Sequence, residues 1–260
     1  MDRIFISGAA RGIGRATAEI LAAQGNIVGA YDVKGDFSWA AAHGDRIISG
    51  TVDVTKPDSW EAALADFAER AGGIDVLINN AGILYAGAFI DAGSYDKDAA
   101  TTNVNVNGVL FGARAAYPYL RRSPRGRLVN LSSAAAIVGT PDMATYSASK
   151  FAVLGLTEAL NLEWEQEGIE VRCVLPLYAQ TQMLDGVSTT GTRRLGVRLR
   201  PEDVAAEVVR AATDRRRTPV KVHFPAGWQA KLLHAGAHFS PPWLTRFVNA
   251  KLTTSRKVRL

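Results

Sequence analysis

Tyr146 and Lys150 stand four residues apart at the start of a segment with helical periodicity. Residues at this spacing project from one face of a helix. The phenol of a free tyrosine titrates at about 10, too high for an efficient base near neutral pH, but a neighbouring ammonium group favours the phenolate. The pair therefore predicts a site that exchanges a proton with an alcohol or carbonyl oxygen, next to a carbon that loses or gains a hydride.

Two serines, Ser132 and Ser133, follow a strand-like run that ends at Leu131. A hydroxyl in this place would hydrogen-bond the substrate oxygen and hold it beside Tyr146. Ser133 is the predicted residue for this task, and Ser132 is the alternative.

The first strand-like run ends in Ser7-Gly8-Ala9-Ala10-Arg11-Gly12-Ile13-Gly14, and a helical pattern begins at once. In a strand–turn–helix unit, the first glycine permits the tight turn, the second lets the backbone approach a pyrophosphate, and the third brings helix and strand together. The amides at the helix start then face the phosphate. Gly8, Gly12 and Gly14 therefore predict a dinucleotide site, although three residues separate the first two glycines.

Asp32 ends the second strand-like run, 18 residues after Gly14. An acid in this place accepts hydrogen bonds from the ribose hydroxyls of the adenosine, and its charge repels a 2′-phosphate. Asp32 therefore favours NAD over NADP as the cofactor, while Lys34 and Arg11 nearby would soften the preference.

Seven short apolar runs alternate with helical segments along the chain. Apolar residues on nearly consecutive positions are typical of strands buried on both faces of a parallel sheet. The order predicts one α/β domain with a doubly wound (Rossmann) parallel sheet of seven strands and right-handed crossovers. The predicted strands cover residues 4–7, 27–31, 47–52, 74–78, 127–131, 171–175 and 220–224. The predicted helices cover residues 13–24, 57–71, 102–120, 146–168 and 201–213.

Two segments depart from this alternation. Residues 184–200, rich in glycine, serine and threonine, predict a mobile loop. Residues 1–224 form the predicted dinucleotide-binding and catalytic domain, and residues 225–260 extend it as a helical tail. Apolar residues of the tail recur on one helical side. They are Trp228, Leu232 and Leu233, followed beyond Pro241 and Pro242 by Trp243, Leu244, Phe247 and Val248.

The net charge of +5 is unevenly distributed, because residues 193–260 hold 15 of the 30 Lys and Arg but 4 of the 25 Asp and Glu. The tail either packs on its own domain or a partner subunit, or offers an amphipathic surface to a lipid-like substrate or an anionic membrane. Without a recognisable recognition module, nucleic acid is not the expected partner. The basic residues of the tail are Lys231, Arg246, Lys251, Arg256, Lys257 and Arg259.

The single cysteine, Cys173, lies in an apolar run, so neither a disulfide framework nor a thiolate metal cluster is expected. The chain starts directly with a strand-like segment rather than a signal peptide. No apolar run approaches the roughly 20 residues of a membrane span. A cytoplasmic location and a site without metal are the resulting expectations.

Taken together and in order, these motifs resemble the short-chain dehydrogenase/reductase family, from about residue 3 to about residue 213. The resemblance implies a catalytic set of Asn105, Ser133, Tyr146 and Lys150. Asn105 would hold a water that links Lys150 to a proton relay, and Asn107 is the alternative. The implied cofactor residues are Gly8, Arg11, Gly12, Ile13, Gly14, Asp32, Asp53, Val54, Asn80, Ala81, Gly82, Tyr146, Lys150, Pro176, Ala179 and Thr181.

One position departs from the family pattern. Relatives commonly have Pro-Gly after the sixth strand, whereas this chain has Pro176-Leu177. The side chain of Leu177 would either crowd the nicotinamide or form a wall of the substrate pocket.

The resemblance implies an NAD-dependent enzyme acting on an apolar secondary alcohol or ketone. If the tail offers an amphipathic surface to the substrate, that substrate is expected to be lipid-like. The alternatives are an NADPH-dependent 3-oxoacyl-type reductase and a regulator that binds a dinucleotide without turnover. Relatives pair the helices corresponding to residues 102–120 and 146–168 across a two-fold axis, which implies a homodimer or a homotetramer.

Overall fold

A computed structural model of the chain describes residues 1–215 and 220–256. In this part of the chain one sheet of seven parallel strands runs in the order β3-β2-β1-β4-β5-β6-β7. The strand order reverses between β1 and β4, and ligands of such sheets bind at this point, beyond the carboxyl ends of the strands. The strands are β1 (Arg3–Ser7), β2 (Ile27–Asp32), β3 (Ile47–Thr51), β4 (Val76–Asn79), β5 (Arg127–Leu131), β6 (Glu170–Pro176) and β7 (His223–Ala226).

Helices cover both faces of the sheet. They are α1 (Gly12–Ala23), α2 (Pro57–Ala71), α3 (Tyr95–Thr102), α4 (Gly108–Arg122), α5 (Ala144–Glu163), α6 (Thr190–Leu195), α7 (Pro201–Thr213), α8 (Trp228–Phe239) and α9 (Pro242–Thr253). A π-helical turn, Asn103–Asn107, joins α3 to α4, and short 3₁₀ segments occur at Ser38–Arg46, Ala134–Ala136 and Gln182–Leu184. The predicted fold class, a doubly wound parallel sheet with C-terminal helices, is confirmed.

The last strand differs most from its prediction. Residues 220–224 were the predicted strand, but β7 begins at His223 and continues through Pro225 to Ala226. A proline is tolerated there because β7 is an edge strand. On its open side no neighbouring strand needs the N–H group that proline lacks.

Two helical regions also differ from the sequence pattern. The predicted helix over residues 102–120 begins earlier, at Tyr95, and contains the π-helical turn. The segment 184–200, predicted as a loop, contains α6, whose start is stabilised by reciprocal hydrogen bonds between Thr189 and Thr192. A Ser/Thr-rich sequence is typical of a loop. The same side chains can also cap a helix start, and here they do so.

The core consists of two apolar layers, one on each side of the sheet. On one side Phe5 stacks on Tyr31 with 4.5 Å between ring centroids, and Trp60 and Phe67 pack around them. On the other side α1 and α7 pack together against the strands. Burial on both faces explains why the strands are nearly continuous apolar runs.

The tail folds back on the domain as a pair of helices. α8 contacts β7, and α9 contacts α6, while Arg194 of α6 donates a hydrogen bond to the carbonyl of Thr254 at 3.0 Å. Lys257 and Arg259 lie outside the described residues. No helix within the described ranges is both long and apolar enough to cross a bilayer.

A buried carboxylate ties β1 to the segment before β4. Asp75 accepts hydrogen bonds from the Arg3 side chain, from the Arg3 amide at 2.9 Å and from the Ser123 hydroxyl at 2.6 Å. Burial alone would raise the pKa of Asp75, but these bonds and the charge of Arg3 outweigh it and lower the pKa to about 2. The ion pair therefore stabilises the folded state.

We expect Asp75→Asn to lower the free energy of unfolding by about 2 kcal/mol at pH 7, measured by urea denaturation. The folded pKa lies below the unfolded one, so the contribution is present above pH 4 and is lost as the pH falls toward 2. The matched control is Glu19→Gln, which breaks an exposed pair with Arg15 and should cost under about 0.5 kcal/mol. Equal losses for the two variants would contradict the role of Asp75.

Candidate active site

The turn between β1 and α1 has the backbone that phosphate binding requires. Gly8 and Gly12 have φ values of +68° and +57°, in the left-handed region that favours glycine. A Cβ on Gly14 would lie 2.3 Å from the carbonyl oxygen of Gly8, so the close approach of helix and turn requires glycine there. Arg11 makes no side-chain cap to α1, which leaves the first amides of the helix for an anion.

The end of β4 is fastened to this turn by side-chain hydrogen bonds. The Asn80 amide donates to the carbonyl oxygens of Ser7 at 2.9 Å and Gly8 at 2.8 Å. The Ser7 hydroxyl accepts from the backbone amides of Asn80 and Ala81. Ser7 thus fixes the two neighbouring strand ends.

A cleft of about 900 Å³ runs across the carboxyl edge of the sheet. Gly82 lines it, and a Cβ added there would lie 3.3 Å from Asn105 Oδ1 and 3.6 Å from Lys150 Nζ, so a larger residue would crowd these two side chains. The residues present fit a dinucleotide. Those predicted for the cofactor that line the cleft are Gly8, Arg11, Gly12, Ile13, Asp32, Asp53, Val54, Asn80, Ala81, Gly82, Tyr146, Lys150, Pro176 and Thr181.

Two predicted cofactor residues do not line this cleft. Gly14 packs beneath the turn, against Gly8 and Ala9. Ala179 lines a neighbouring cavity and forms a bridge with Leu199. Gly14 is therefore required by packing, whereas the predicted cofactor contact of Ala179 has no support from the shape of the cleft.

Two acids face the cleft from the β2 and β3 ends. The Asp32 carboxylate accepts hydrogen bonds from the amides of Ala10 at 3.1 Å and Val33 at 2.8 Å, which hold it beside the glycine-rich turn. Asp53 accepts from the Thr55 hydroxyl at 2.6 Å, and this bond is the main cause of its lowered pKa. Both side chains have fixed orientations because backbone or side-chain donors hold them.

Tyr146 and Lys150 lie in the first two turns of α5. Lys150 is buried, and its Nζ donates to the Leu131 carbonyl at 2.9 Å, 5.6 Å from the centre of the Tyr146 ring. Burial lowers the pKa of Lys150 to about 8. Burial also raises the pKa of Tyr146, while the hydrogen bond with Ser133 acts in the opposite direction.

The expectation that the Lys150 ammonium favours the Tyr146 phenolate concerns a site that also holds the positive ring of an oxidised nicotinamide, so it stays a prediction. Burial is the dominant influence on both groups, because it removes water from the phenolate and the ammonium alike. The resulting pKa of Tyr146 lies above the ordinary value of a tyrosine, which favours the neutral phenol.

Asn105 lies in the π-helical turn between α3 and α4 and is fully buried. Its side-chain oxygen accepts from the Ile83 amide at 2.9 Å, and its amide donates to the Ile83 carbonyl at 2.9 Å and to the Ser149 hydroxyl at 3.1 Å. The side chain thus links the segment after β4 to α5. The water-binding role implied by the family resemblance remains a prediction.

The alternatives for two site residues can be compared directly. Ser133 contacts Tyr146, whereas the Ser132 hydroxyl donates to the backbone carbonyl of Lys150 at 2.7 Å. Asn107 donates to Asn103 at 3.0 Å, in the partly exposed part of the turn. The geometry therefore favours Ser133 over Ser132 and Asn105 over Asn107.

A second cavity, of about 340 Å³, adjoins the cleft. Ser133 and Tyr146 lie in its wall, and Tyr146, Pro176 and Thr181 also line the cleft. Leu177 lines this second cavity and not the cleft, so of its two expected effects the geometry supports the one on the pocket wall. The predicted catalytic residues Ser133 and Tyr146 thus lie where the cleft meets an apolar cavity.

Sequence reasoning missed most of the pocket wall. Residues from the loop after β5, from α6 and from both tail helices line it. Helical periodicity in the tail showed that an apolar face exists, but no local pattern shows what a face covers. Leu233, Leu244 and Val248 belong to the apolar tail face that the sequence indicated, whereas the missed lining residues include Val138, Met143, Tyr178, Leu195, Asn249 and Leu252.

Comparison with known proteins gives a consistent result. Residues 2–191 match the short chain dehydrogenase family. The 3-alpha-(or 20-beta)-hydroxysteroid dehydrogenase of Mycobacterium tuberculosis is 32% identical over 251 residues, which cover 93% of this chain and 96% of that protein.

Solved structures show the same fold with nicotinamide cofactors. A 3-ketoacyl-(acyl-carrier-protein) reductase from Brucella melitensis, complexed with NADH, has a TM-score of 0.79 at 25% identity, covering 85% of this chain and 95% of that chain. A short chain dehydrogenase from Burkholderia cenocepacia, in complex with NADP, has a TM-score of 0.79 at 27% identity, covering 96% and 97%. The chain therefore belongs to the short-chain dehydrogenase/reductase family, as an NAD(P)-dependent oxidoreductase acting on CH–OH groups.

Proposed function

We propose that this protein transfers a hydride between NAD and an apolar, lipid-like secondary alcohol or ketone, with Tyr146 as the general acid and base. The observation that carries the proposal is the placement of Ser133 and Tyr146 in the wall of a largely apolar cavity that joins the dinucleotide cleft. The similar hydroxysteroid dehydrogenase acts on a substrate class of this kind by its name.

The chain's own residues account for the proton and the orientation of the substrate. When bound, the nicotinamide accepts or delivers the hydride. In reduction the neutral Tyr146 phenol donates its proton to the carbonyl oxygen, and in oxidation the phenolate accepts the hydroxyl proton. Ser133 hydrogen-bonds the same oxygen, and Lys150 supplies positive charge near the phenolate.

The four predicted catalytic residues lie close together. Asn105 and Lys150 both border Gly82 in the floor of the cleft, and Ser133 contacts Tyr146. A regulator that binds without turnover has no need for this set. The similarity to a 3-ketoacyl-(acyl-carrier-protein) reductase keeps a 3-oxoacyl-type reductase as the second candidate, which a panel of sterols, fatty alcohols and 3-hydroxyacyl thioesters, scored by NADH absorbance, separates from the first.

We expect Tyr146→Phe to lower kcat by a factor of at least about 100 while NADH still binds, measured by fluorescence titration. Because burial raises the pKa of Tyr146, oxidation by the unmodified protein should speed up as the pH rises toward 8 and more phenolate forms, and above the Lys150 pKa of about 8 the gain should lessen as Lys150 loses its charge. Tyr119→Phe, on α4 and away from the site, is the matched control. Retained turnover in Tyr146→Phe would remove this residue from its role.

The preference for NAD is proposed from the Asp32 carboxylate. It lines the cleft next to the glycine-rich turn, where its charge opposes the 2′-phosphate of NADP. Asp32→Asn keeps a hydrogen-bond acceptor for the Ala10 amide but removes the charge. We expect the ratio of kcat/KM for NAD over NADP to fall at least about tenfold, or about 1.4 kcal/mol. Asp36→Asn, on the same loop, should leave the ratio unchanged; an equal effect there would show a nonspecific charge effect.

We propose a homodimer through the exposed face of α5. Phe151 and Leu162 are 41% and 72% exposed, and the small residues Ala152, Gly155 and Ala159 lie between them on the same face. Small residues allow the backbones of two helices to approach closely, and a two-fold axis would pair the face with itself. Further assembly into a tetramer is not required by this surface.

Ala159→Arg should convert the dimer to a monomer, because it places two like charges at the axis. The mass is measured by size-exclusion chromatography with light scattering. Ala62→Arg, on the exposed side of α2, is the matched control and should keep the mass of the unmodified protein. An unchanged mass for Ala159→Arg would place the interface elsewhere.

A further inference from the structure

The two tail helices have an inner and an outer face. The inner face closes the apolar cavity through Leu233, Leu244 and Leu252. The outer face carries large apolar side chains that nothing in the described chain covers: Trp228 is 64% exposed, Phe239 is 90% exposed and Trp243 is 69% exposed. Soluble proteins rarely expose contiguous apolar patches of this kind unless the patch binds something.

The outer residues are grouped rather than scattered. Trp228, Leu232 and Phe239 follow one another at helical spacing along one side of α8. Phe239 and Trp243 flank the connection between α8 and α9. We define these four residues as the outer patch.

The outer patch adjoins an opening of the cavity. Leu232 lines the cavity and is also 65% exposed, and Val248 of α9 lines it and is 38% exposed. A side chain with one part in the cavity and another in solvent marks the opening. The cavity that opens beside the outer patch also has Tyr146 in its wall.

The charge around the outer patch points to the nature of that phase. No Asp or Glu occurs after Asp214, and the exposed cations of the two helices and the segment after them are Lys231, Arg246, Lys251 and Arg256. Lys231 pairs with Glu207 at 3.4 Å and Arg256 with Asp142 at 3.8 Å, and the two helices themselves contain cations but no acids. A second copy of the same face would bring like charges together, whereas anionic lipid headgroups would neutralise them.

We propose that the α8–α9 pair docks on an anionic membrane surface through the outer patch, and that the enzyme takes its substrate directly from the bilayer. The docking itself is inferred from the exposure of the outer patch and the charge of the tail, while substrate uptake rests on the proposed function. Tryptophan and phenylalanine insert at the headgroup boundary, and the flanking lysines and arginines contact the anionic headgroups.

The test is flotation of the full chain with vesicles of phosphatidylcholine, with or without 30% phosphatidylglycerol. We expect flotation with the anionic vesicles, at least a tenfold smaller bound fraction for Phe239→Ser/Trp243→Ser, and weaker binding at higher salt. The matched control is Ile90→Ser/Tyr95→Ser, which removes two residues that are 83% and 95% exposed outside the tail. It should float like the unmodified chain.

Phe239 and Trp243 do not line the cavity, so turnover of a small water-soluble alcohol should be unchanged in their variant, which also shows that it is folded. A second variant, Lys231→Gln/Lys251→Gln, should reduce binding to anionic vesicles selectively. Docking would be overturned if the unmodified chain did not float, or if all variants floated equally. It would also be overturned if Phe239→Ser/Trp243→Ser changed the oligomeric state of the protein but not its vesicle binding. Vesicle binding without turnover of any apolar alcohol would instead refute the proposed function.

Discussion

The hydrogen bonds between the Asn80 side chain and the carbonyls of Ser7 and Gly8 are the constraint on which the site depends. They join β4 to β1 at the point where the strand order reverses, so the crevice between these strands has a fixed width. The glycine-rich turn can then present the start of α1 to a phosphate, because its backbone passes close to Ala81 with no side chain between them. Asn105 extends the same arrangement one step further, since it fixes Ile83 and borders the floor of the cleft beside Lys150.

Tyr146 connects two environments with different physical demands. The cleft is polar at its glycine-rich end and suits a charged cofactor, whereas the adjoining cavity is apolar and is the proposed substrate pocket. A phenol is suited to this boundary, because its ring packs against apolar groups while its hydroxyl reaches a polar partner. The burial that makes the cavity apolar also raises the pKa of the phenol. The proposed substrate preference and the pKa of Tyr146 thus have the same cause, which is that burial excludes water from the cavity.

The features that could be predicted from sequence are those that depend on residues close together in the chain. Consecutive apolar residues identified six of the strands closely, and the spacing of Gly8, Gly12, Gly14, Tyr146 and Lys150 identified the cleft. β7 was misplaced because the tolerance for Pro225 depends on its being an edge strand, which only the assembled sheet reveals. The π-helical turn at Asn105 was not foreseen for a similar reason, since its side chain bonds to residues distant in sequence. The direction of the Tyr146 pKa shift also required the burial of the whole site.

The tail shows most clearly why a surface pattern alone does not define a function. Its periodicity is equally consistent with a helix packed on the core, a subunit contact or a membrane-binding element. In the structure, one face of these helices packs on the domain and the other face is exposed. Leu233 and Leu244 close the cavity, while Phe239 and Trp243 remain exposed, and Leu232 belongs to both faces. Because Leu232 lines the cavity and is also exposed, a partner that covers the outer face would also act on the opening of the cavity. Under the proposed docking and function, recognition of the substrate and recognition of the surface that supplies it are therefore physically coupled in α8.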